Sequence, residues 1–279
     1  MPYLNQNSPD ERLNQATLYY EDWGSGDPVV LIHGWPLSHE MWEYQIDALV
    51  SAGYRVIAYD RRGFGKSSKP WSGYDYNSLA ADLALLIDAL DLESVSLVGF
   101  SMGGGEVVRY ISLFGIEKIK KAVLISSVVP FMLKTDDHPE GVPKAMFDGF
   151  AEKIATDRPA FLADFAKQFY GEGLLSKPVS QAILNWHQNL SLQAGPRATA
   201  QCLEAFSTTD FRSELDKIRL PLLIIHGDAD KTVPIKATSE IVAGRVPQAE
   251  YIVFEGAPHG LFITDRDMLN QRLIDFLKQ

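Results

Sequence analysis

The sequence predicts an α/β fold: a mostly parallel, doubly wound sheet carrying one helical insertion. Three observations lead there. Six short runs rich in Val, Ile and Leu are each bounded by Gly, Asp or Pro, the composition of strands buried on both faces. Segments with helical spacing separate most of them, which is the alternation that builds parallel α/β sheets. Between Pro130 and Asp210 the alternation stops, and helical stretches follow one another without a strand.

Along the chain, "MPYLNQNSPDERLNQ" lacks the basic stretch and apolar run of a targeting signal. "ATLYYEDWG" (16–24) is polar and alternating, as antiparallel edge strands are. "PVVLIHG" (28–34) and "YRVIAYD" (54–60) are the first buried strands, followed by a helix over 77–91 with Leu79, Leu83, Leu86 and Leu90 on one face. "SVSLVGF" (94–100) is the next strand; helical character resumes from about Glu106. "KAVLISS" (121–127) precedes the insertion. "PLLIIHG" (221–227) and "EYIVFEG" (250–256) complete the sheet, with a helix expected to start around Thr232 to Pro234. The division is therefore a core of residues 1–130 and 211–279 and a helical cap of residues 131–210. Within the cap, Phe147, Phe150, Phe161, Phe165, Phe169, Tyr170, Trp186 and Phe206 are aromatic. Most are expected to pack the cap onto the sheet and the rest to line an apolar pocket.

At 279 residues, 46% hydrophobic and 22% charged, the chain falls in the globular class. A net charge of -10 repels phosphate backbones and anionic lipid headgroups but not neutral small molecules, so no nucleic-acid or membrane partner is expected. The longest apolar run, "AVLISSVVPFML", is too short for a membrane span. Cys202 is the single cysteine, without a CxxC partner, and reads as a small packed residue in a cytoplasmic protein. No metal or cofactor is expected: the histidines, cysteine and carboxylates lack zinc spacing, the glycines do not complete a dinucleotide fingerprint, and "RRGFGKSSK" has Asp60 where a phosphate loop needs glycine. A homo-oligomer is left open.

The chemistry gathers at "LVGFSMGGGEVV". A Gly-x-Ser-x-Gly match alone is weak, but Ser101 falls between a buried strand and a helix, at the carboxyl edge of the sheet where open α/β folds bind ligands. A serine hydroxyl needs a base, and the base an orienting acid. Of the histidines, His39, His138 and His187 fall in helical or cap segments, and His33 and His226 end strands in His-Gly pairs that shape loops. His259 in "EGAPHGLF" follows the last strand at the same sheet edge and is the candidate base. For the acid, "IIHGDADKTVP" offers Asp228 and Asp230, either of which also suits a turn. The oxyanion formed on attack needs backbone N–H donors. Met102, just after the serine, is one. In "HGWPLSHEMW" Pro36 has no N–H, which makes Trp35 the other. Pro36, Phe100 and Phe131 are expected to line the substrate pocket.

These segments together, "HGWP", "DRRGFGKS", "GFSMGG", "HGDADKTVP" and "APHG", resemble the α/β-hydrolase superfamily in order and over nearly the whole chain. "LIHGWPLSHEMW", "YRVIAYDRRGFGKSS" and "GFSMGGGEVVRY" are similar to its cofactor-free haloperoxidase, perhydrolase and aryl-esterase branch. The resemblance implies an α/β-hydrolase fold, Ser101 as nucleophile, His259 as base, Asp230 rather than Asp228 as acid, and backbone donors at Trp35 and Met102. It implies hydrolysis of small aryl or alkyl esters through an acyl-enzyme, with hydrogen peroxide able to replace water and give a peroxyacid that oxidises halide. Pro36 accompanies the perhydrolase-like members and is expected to direct the Trp35 carbonyl toward peroxide. Amide or lactam cleavage by the same triad, and a slow-turnover small-molecule sensor on the same fold, are the alternatives.

Overall fold

The computed structural model describes residues 2–5, 16–173 and 176–279; most of the N-terminal stretch read for a targeting signal lies outside them. Among the described residues β1 (Tyr3–Asn5), β2 (Thr17–Trp23), β3 (Pro28–Ile32), β4 (Arg55–Tyr59), β5 (Val95–Phe100), β6 (Ile119–Ile125), β7 (Leu222–Gly227) and β8 (Glu250–Phe254) form one sheet in the order β1-β2-β4-β3-β5-β6-β7-β8. β1 pairs antiparallel with β2, and β2 with β4; every pair from β4 through β8 is parallel. The centre of the sheet is apolar throughout: Val30 lies beside Ile57 of β4 and Leu97 of β5, all three fully buried. That burial on both faces is what the uninterrupted Val/Ile/Leu runs encode.

The helices are α1 (Glu43–Ser51), α2 (Tyr76–Ala89), α3 (Met102–Phe114), α4 (Lys144–Phe169), α5 (Gln181–Gln193), α6 (Pro196–Thr208), α7 (Ser239–Arg245), α8 (Leu261–Thr264) and α9 (Arg266–Lys278). α2 packs on α3 and α1 on α9, while α4 gathers α5 and α6 into the insertion between β6 and β7. α2 starts where Asp75 accepts hydrogen bonds from the backbone N–H groups of Asn77 and Ser78. α4 bends at Asp157, whose backbone leaves the helical region (φ -150°, ψ 80°) two residues before Pro159; the Asp157 carboxylate then accepts from Ala160 N–H and restarts the helix. No helix among the described residues is long and apolar enough to cross a membrane.

Two helix starts differ from the sequence expectation. α3 begins at Met102, not near Glu106, so glycines 103–105 lie in its first turn. They are there for contact rather than for looseness: a Cβ on Gly103 would meet the backbone carbonyls of Ile32 and His33, so only glycine lets α3 sit against the end of β3. After β7 the α-helix starts at Ser239 rather than at Thr232 to Pro234, because Asp230 takes the amides of Thr232 and Val233 and holds that segment as a turn.

Candidate active site

Ser101 stands between β5 and α3 with φ 54° and ψ -118°, a conformation ordinarily left to glycine that costs roughly 1–3 kcal/mol. Backbone bonds hold it there: its N–H donates to Ile125 C=O (2.8 Å), and its own carbonyl accepts from Gly104 N–H (3.1 Å) and Val128 N–H (3.3 Å). The turn lifts the hydroxyl off the sheet edge toward the loop after β8. There the Ser101 hydroxyl donates to His259 Nε2 at 3.0 Å, and His259 Nδ1–H donates to Asp230 Oδ2 at 2.6 Å. A carboxylate only accepts, which fixes the proton on Nδ1 and leaves Nε2 as the acceptor. All three residues are buried.

The two aspartates separate cleanly. Asp230 Oδ1 accepts from Thr232 N–H and Val233 N–H (2.8 Å each), and Oδ2 faces both His259 Nδ1 and His226 Nε2 (3.2 Å). Burial alone would raise its pKa, but electrostatic attraction to the adjoining His259 ring and hydrogen bonds from His226 and His259 hold it well below the usual carboxylate range. Asp228 is exposed and accepts from Gly256 N–H at 2.6 Å, a loop contact away from the histidine.

The other histidines are tied elsewhere. His226 Nε2–H also donates to Val233 C=O (3.0 Å), and its Nδ1 accepts from the Ser239 hydroxyl (2.6 Å). His33 accepts from Arg61 N–H, and burial and the Arg61 charge hold its pKa well below the ordinary value. His39 faces Asp60, His138 the Phe131 carbonyl and His187 the Tyr170 hydroxyl. Cys202 is fully buried in α6, and burial pushes its thiol up to about 12.

Among the described residues neither Trp35 N–H nor Met102 N–H has an acceptor. Met102 is the first residue of α3, where no intrahelical partner exists. Trp35 is anchored through its indole, which donates to Thr199 C=O in α6 at 3.0 Å.

A narrow cavity of about 20 Å³ lies over Ser101 and His259. Its walls are Trp35, Val128 and Val233, the rings of Phe147, Phe150, Phe165 and Phe206, and Thr232. Four of the nine aromatic residues in 131–210 therefore face the chamber, a larger share than their helical spacing suggested. Phe150 and Phe165 also border a groove of about 300 Å³ on the outer side of α4. Pro36, Phe100 and Phe131 are absent from the walls. Successive residues at a strand end face opposite ways, so Phe100 turns under the site as Ser101 turns into it. The Phe100 ring packs on His259 (4.9 Å between centroids), Trp42 and Phe262. Phe131 packs on His138 and Arg212 instead. Val128, Thr232 and Val233 were missed by the sequence reading, although each lies just past the carboxyl end of β6 or β7, where ligands collect. Among the described residues no three His, Cys, Asp or Glu side chains form a metal-binding group.

Comparison with known proteins agrees with this architecture. A family model described as the alpha/beta hydrolase fold matches residues 27–266. A non-heme chloroperoxidase of Kitasatospora aureofaciens is 41% identical over 264 residues, 94% of this chain and 96% of that protein. A bifunctional esterase/perhydrolase of Acinetobacter calcoaceticus is 38% identical over 265 residues, with 94% and 96% covered. Among solved structures, a bromoperoxidase from Bacillus anthracis superposes with a TM-score of 0.93 at 48% identity, covering 96% of this chain and 98% of that one. The chain belongs to the alpha/beta hydrolase fold family.

Proposed function

We propose that the protein is a serine hydrolase that cleaves small carboxylic esters, aryl or alkyl, through an acyl-enzyme on Ser101. The observation that carries this reading is the Ser101–His259–Asp230 hydrogen-bond relay at the wall of a narrow apolar cavity. In the proposed mechanism His259 Nε2 takes the Ser101 proton as Oγ attacks the ester carbonyl, while Asp230 stabilises the imidazolium. The Trp35 and Met102 amides bind the oxyanion. His259 returns the proton to the leaving alcohol, and water then hydrolyses the acyl-enzyme by the same path. The apolar rings suit a short uncharged acyl group. The helices between β6 and β7 act as a cap.

Hydrogen peroxide in place of water yields a peroxyacid, the chemistry that the esterase/perhydrolase and chloroperoxidase relatives are named for. Pro36→Leu tests its expected part: the ratio of perhydrolysis to hydrolysis falls, and an unchanged ratio removes Pro36 from the account. The net charge of -10 disfavours nucleic-acid and anionic-membrane partners, and the free, buried Cys202 suits the cytoplasm. The decisive assay is hydrolysis of p-nitrophenyl acetate by the wild type and by Ser101→Ala. Turnover lost in the alanine variant supports the reading. Equal rates refute it, and a wild type that binds without turnover favours the sensor.

A further inference from the structure

Among the residues around the reaction cavity, Thr232 has no role in the relay. Its hydroxyl oxygen is buried and has no hydrogen-bond partner among the described residues, although burying such a group unpaired costs about 1–3 kcal/mol. Its backbone is fixed by the acid residue, since Thr232 N–H donates to Asp230 Oδ1 at 2.8 Å. Of the ten side chains lining the cavity, those with a polar atom not engaged elsewhere are Ser101, His259 and Thr232; the Trp35 indole N–H is taken by Thr199. Once Ser101 is acylated its oxygen carries no proton and releases His259 Nε2. His259 and Thr232 are then the polar side chains left to hold the second reactant.

We infer that Thr232 is the seat of the deacylating nucleophile, a small hydroxylic molecule (water or hydrogen peroxide) held between the Thr232 hydroxyl and His259 Nε2. The inference rests on the acyl-enzyme reading. In the step it serves, the oxygen of the seated molecule bonds to the acyl carbon and its proton passes to His259 Nε2. The bond from the acyl carbon to Ser101 Oγ then breaks as His259 returns that proton to Oγ, releasing acid from water or peroxyacid from peroxide.

The test separates the two half-reactions. With enzyme in excess over p-nitrophenyl acetate, phenolate release reads acylation, and intact-protein mass reads the level and decay of the acetyl adduct. Thr232→Val, which keeps shape and loses the hydroxyl, is expected to slow adduct decay more than phenolate release. Its adduct should rise and decay about threefold to tenfold more slowly, the worth of one hydrogen bond. Thr232→Ser should restore the decay. An adduct level that does not rise in the valine variant, or phenolate release that slows in step with decay, overturns the seat. Adding hydrogen peroxide distinguishes the occupants. Decay that saturates with peroxide in wild type, and less readily in Thr232→Val, supports a peroxide seat; an identical linear dependence in both proteins overturns it for peroxide. Failure of the underlying reading looks different: wild type and Ser101→Ala would then release phenolate equally and neither would carry an adduct.

Discussion

Replacing Asp230 by asparagine changes one oxygen to an amino group, and the surrounding hydrogen bonds dictate which. Oδ1 accepts from two backbone amides, Thr232 N–H and Val233 N–H, so the asparagine carbonyl must take that place. The amino group is forced into the Oδ2 position, 2.6 Å from His259 Nδ1. An NH₂ cannot accept, so the imidazole moves its proton to Nε2 and Nδ1 becomes the acceptor. Nε2 then has no lone pair for the Ser101 proton, and the charge that stabilised the imidazolium is gone. The same amino group opposes His226 Nε2–H at 3.2 Å, two donors facing each other. Loss of base and counter-charge together is worth about a thousandfold to ten-thousandfold in kcat, about 4–5.5 kcal/mol. Asp228→Asn is the control, because its one contact, from Gly256 N–H, is still met by an amide oxygen; its kcat should stay within about twofold. Both variants are assayed by steady-state hydrolysis of p-nitrophenyl acetate, with circular dichroism to verify folding. Asp230→Asn at more than about a tenth of wild-type kcat, or Asp228→Asn as the weaker enzyme, would refute the assignment of the acid.

Three further outcomes follow from the geometry. His187 is fully buried against Phe169 and Tyr170, and burial, then the nearby His259, lowers its pKa from 6.5 to about 3. Below 6.5 the unfolded chain binds a proton that the folded one refuses, so this group costs stability as pH falls from 6.5 toward 3. At about pH 5 the loss is about 2 kcal/mol, and His187→Gln should flatten the urea-unfolding profile over that window; an unchanged slope contradicts a neutral buried ring. Phe206→Ala removes one ring from the chamber and should raise kcat/KM for hexanoate relative to acetate esters by about tenfold or more; a constant ratio would show that Phe206 does not bound the acyl group. Gly103→Ala forces a methyl onto the Ile32 and His33 carbonyls and should lower stability by about 1–3 kcal/mol, read as a shift in denaturation midpoint, which would stay put if α3 could move away from β3.

The parallel strands were legible because a strand buried on both faces leaves an unbroken apolar run, as in "PVVLI" and "VSLVGF". Ser101 was legible for the same reason, since it follows such a run; His259 follows β8, an edge strand that is apolar in sequence although its Val253 is exposed. Two kinds of information were not local. Glycines 103–105 read as loop by propensity but are helical, because close contacts across the fold, with β3 at Gly103, Ser127 at Gly104 and Tyr76 at Gly105, outweigh the glycine penalty. The pocket walls depended on how the insertion folds back, which no spacing within α4 or α6 records. The choice between Asp228 and Asp230 turned on which carboxylate is buried beside a histidine nearly thirty residues downstream.

The polar core beneath the site explains how two distant segments can offer one pair of amides. Arg61, just past β4, is buried; its guanidinium donates to Glu106 in α3 (2.6 Å) and to the His33 carbonyl after β3 (2.6 Å), while its N–H donates to His33 Nε2 (3.0 Å). Tyr59 completes the set by donating to the other Glu106 oxygen at 2.7 Å. A buried ion pair is weak evidence for net stability, because desolvation offsets most of its attraction. Its directional bonds, however, fix relative position in a way that apolar contacts do not. Trp35 lies two residues beyond His33, and Met102 one helical turn before Glu106, so the network clamps the two segments that carry the proposed oxyanion donors. An oxyanion pocket works over a tolerance of a few tenths of an ångström. Leucines in place of Arg61 and Glu106 would fill the same volume but leave α3 free to slide along β3, which is the movement that such a pocket cannot absorb.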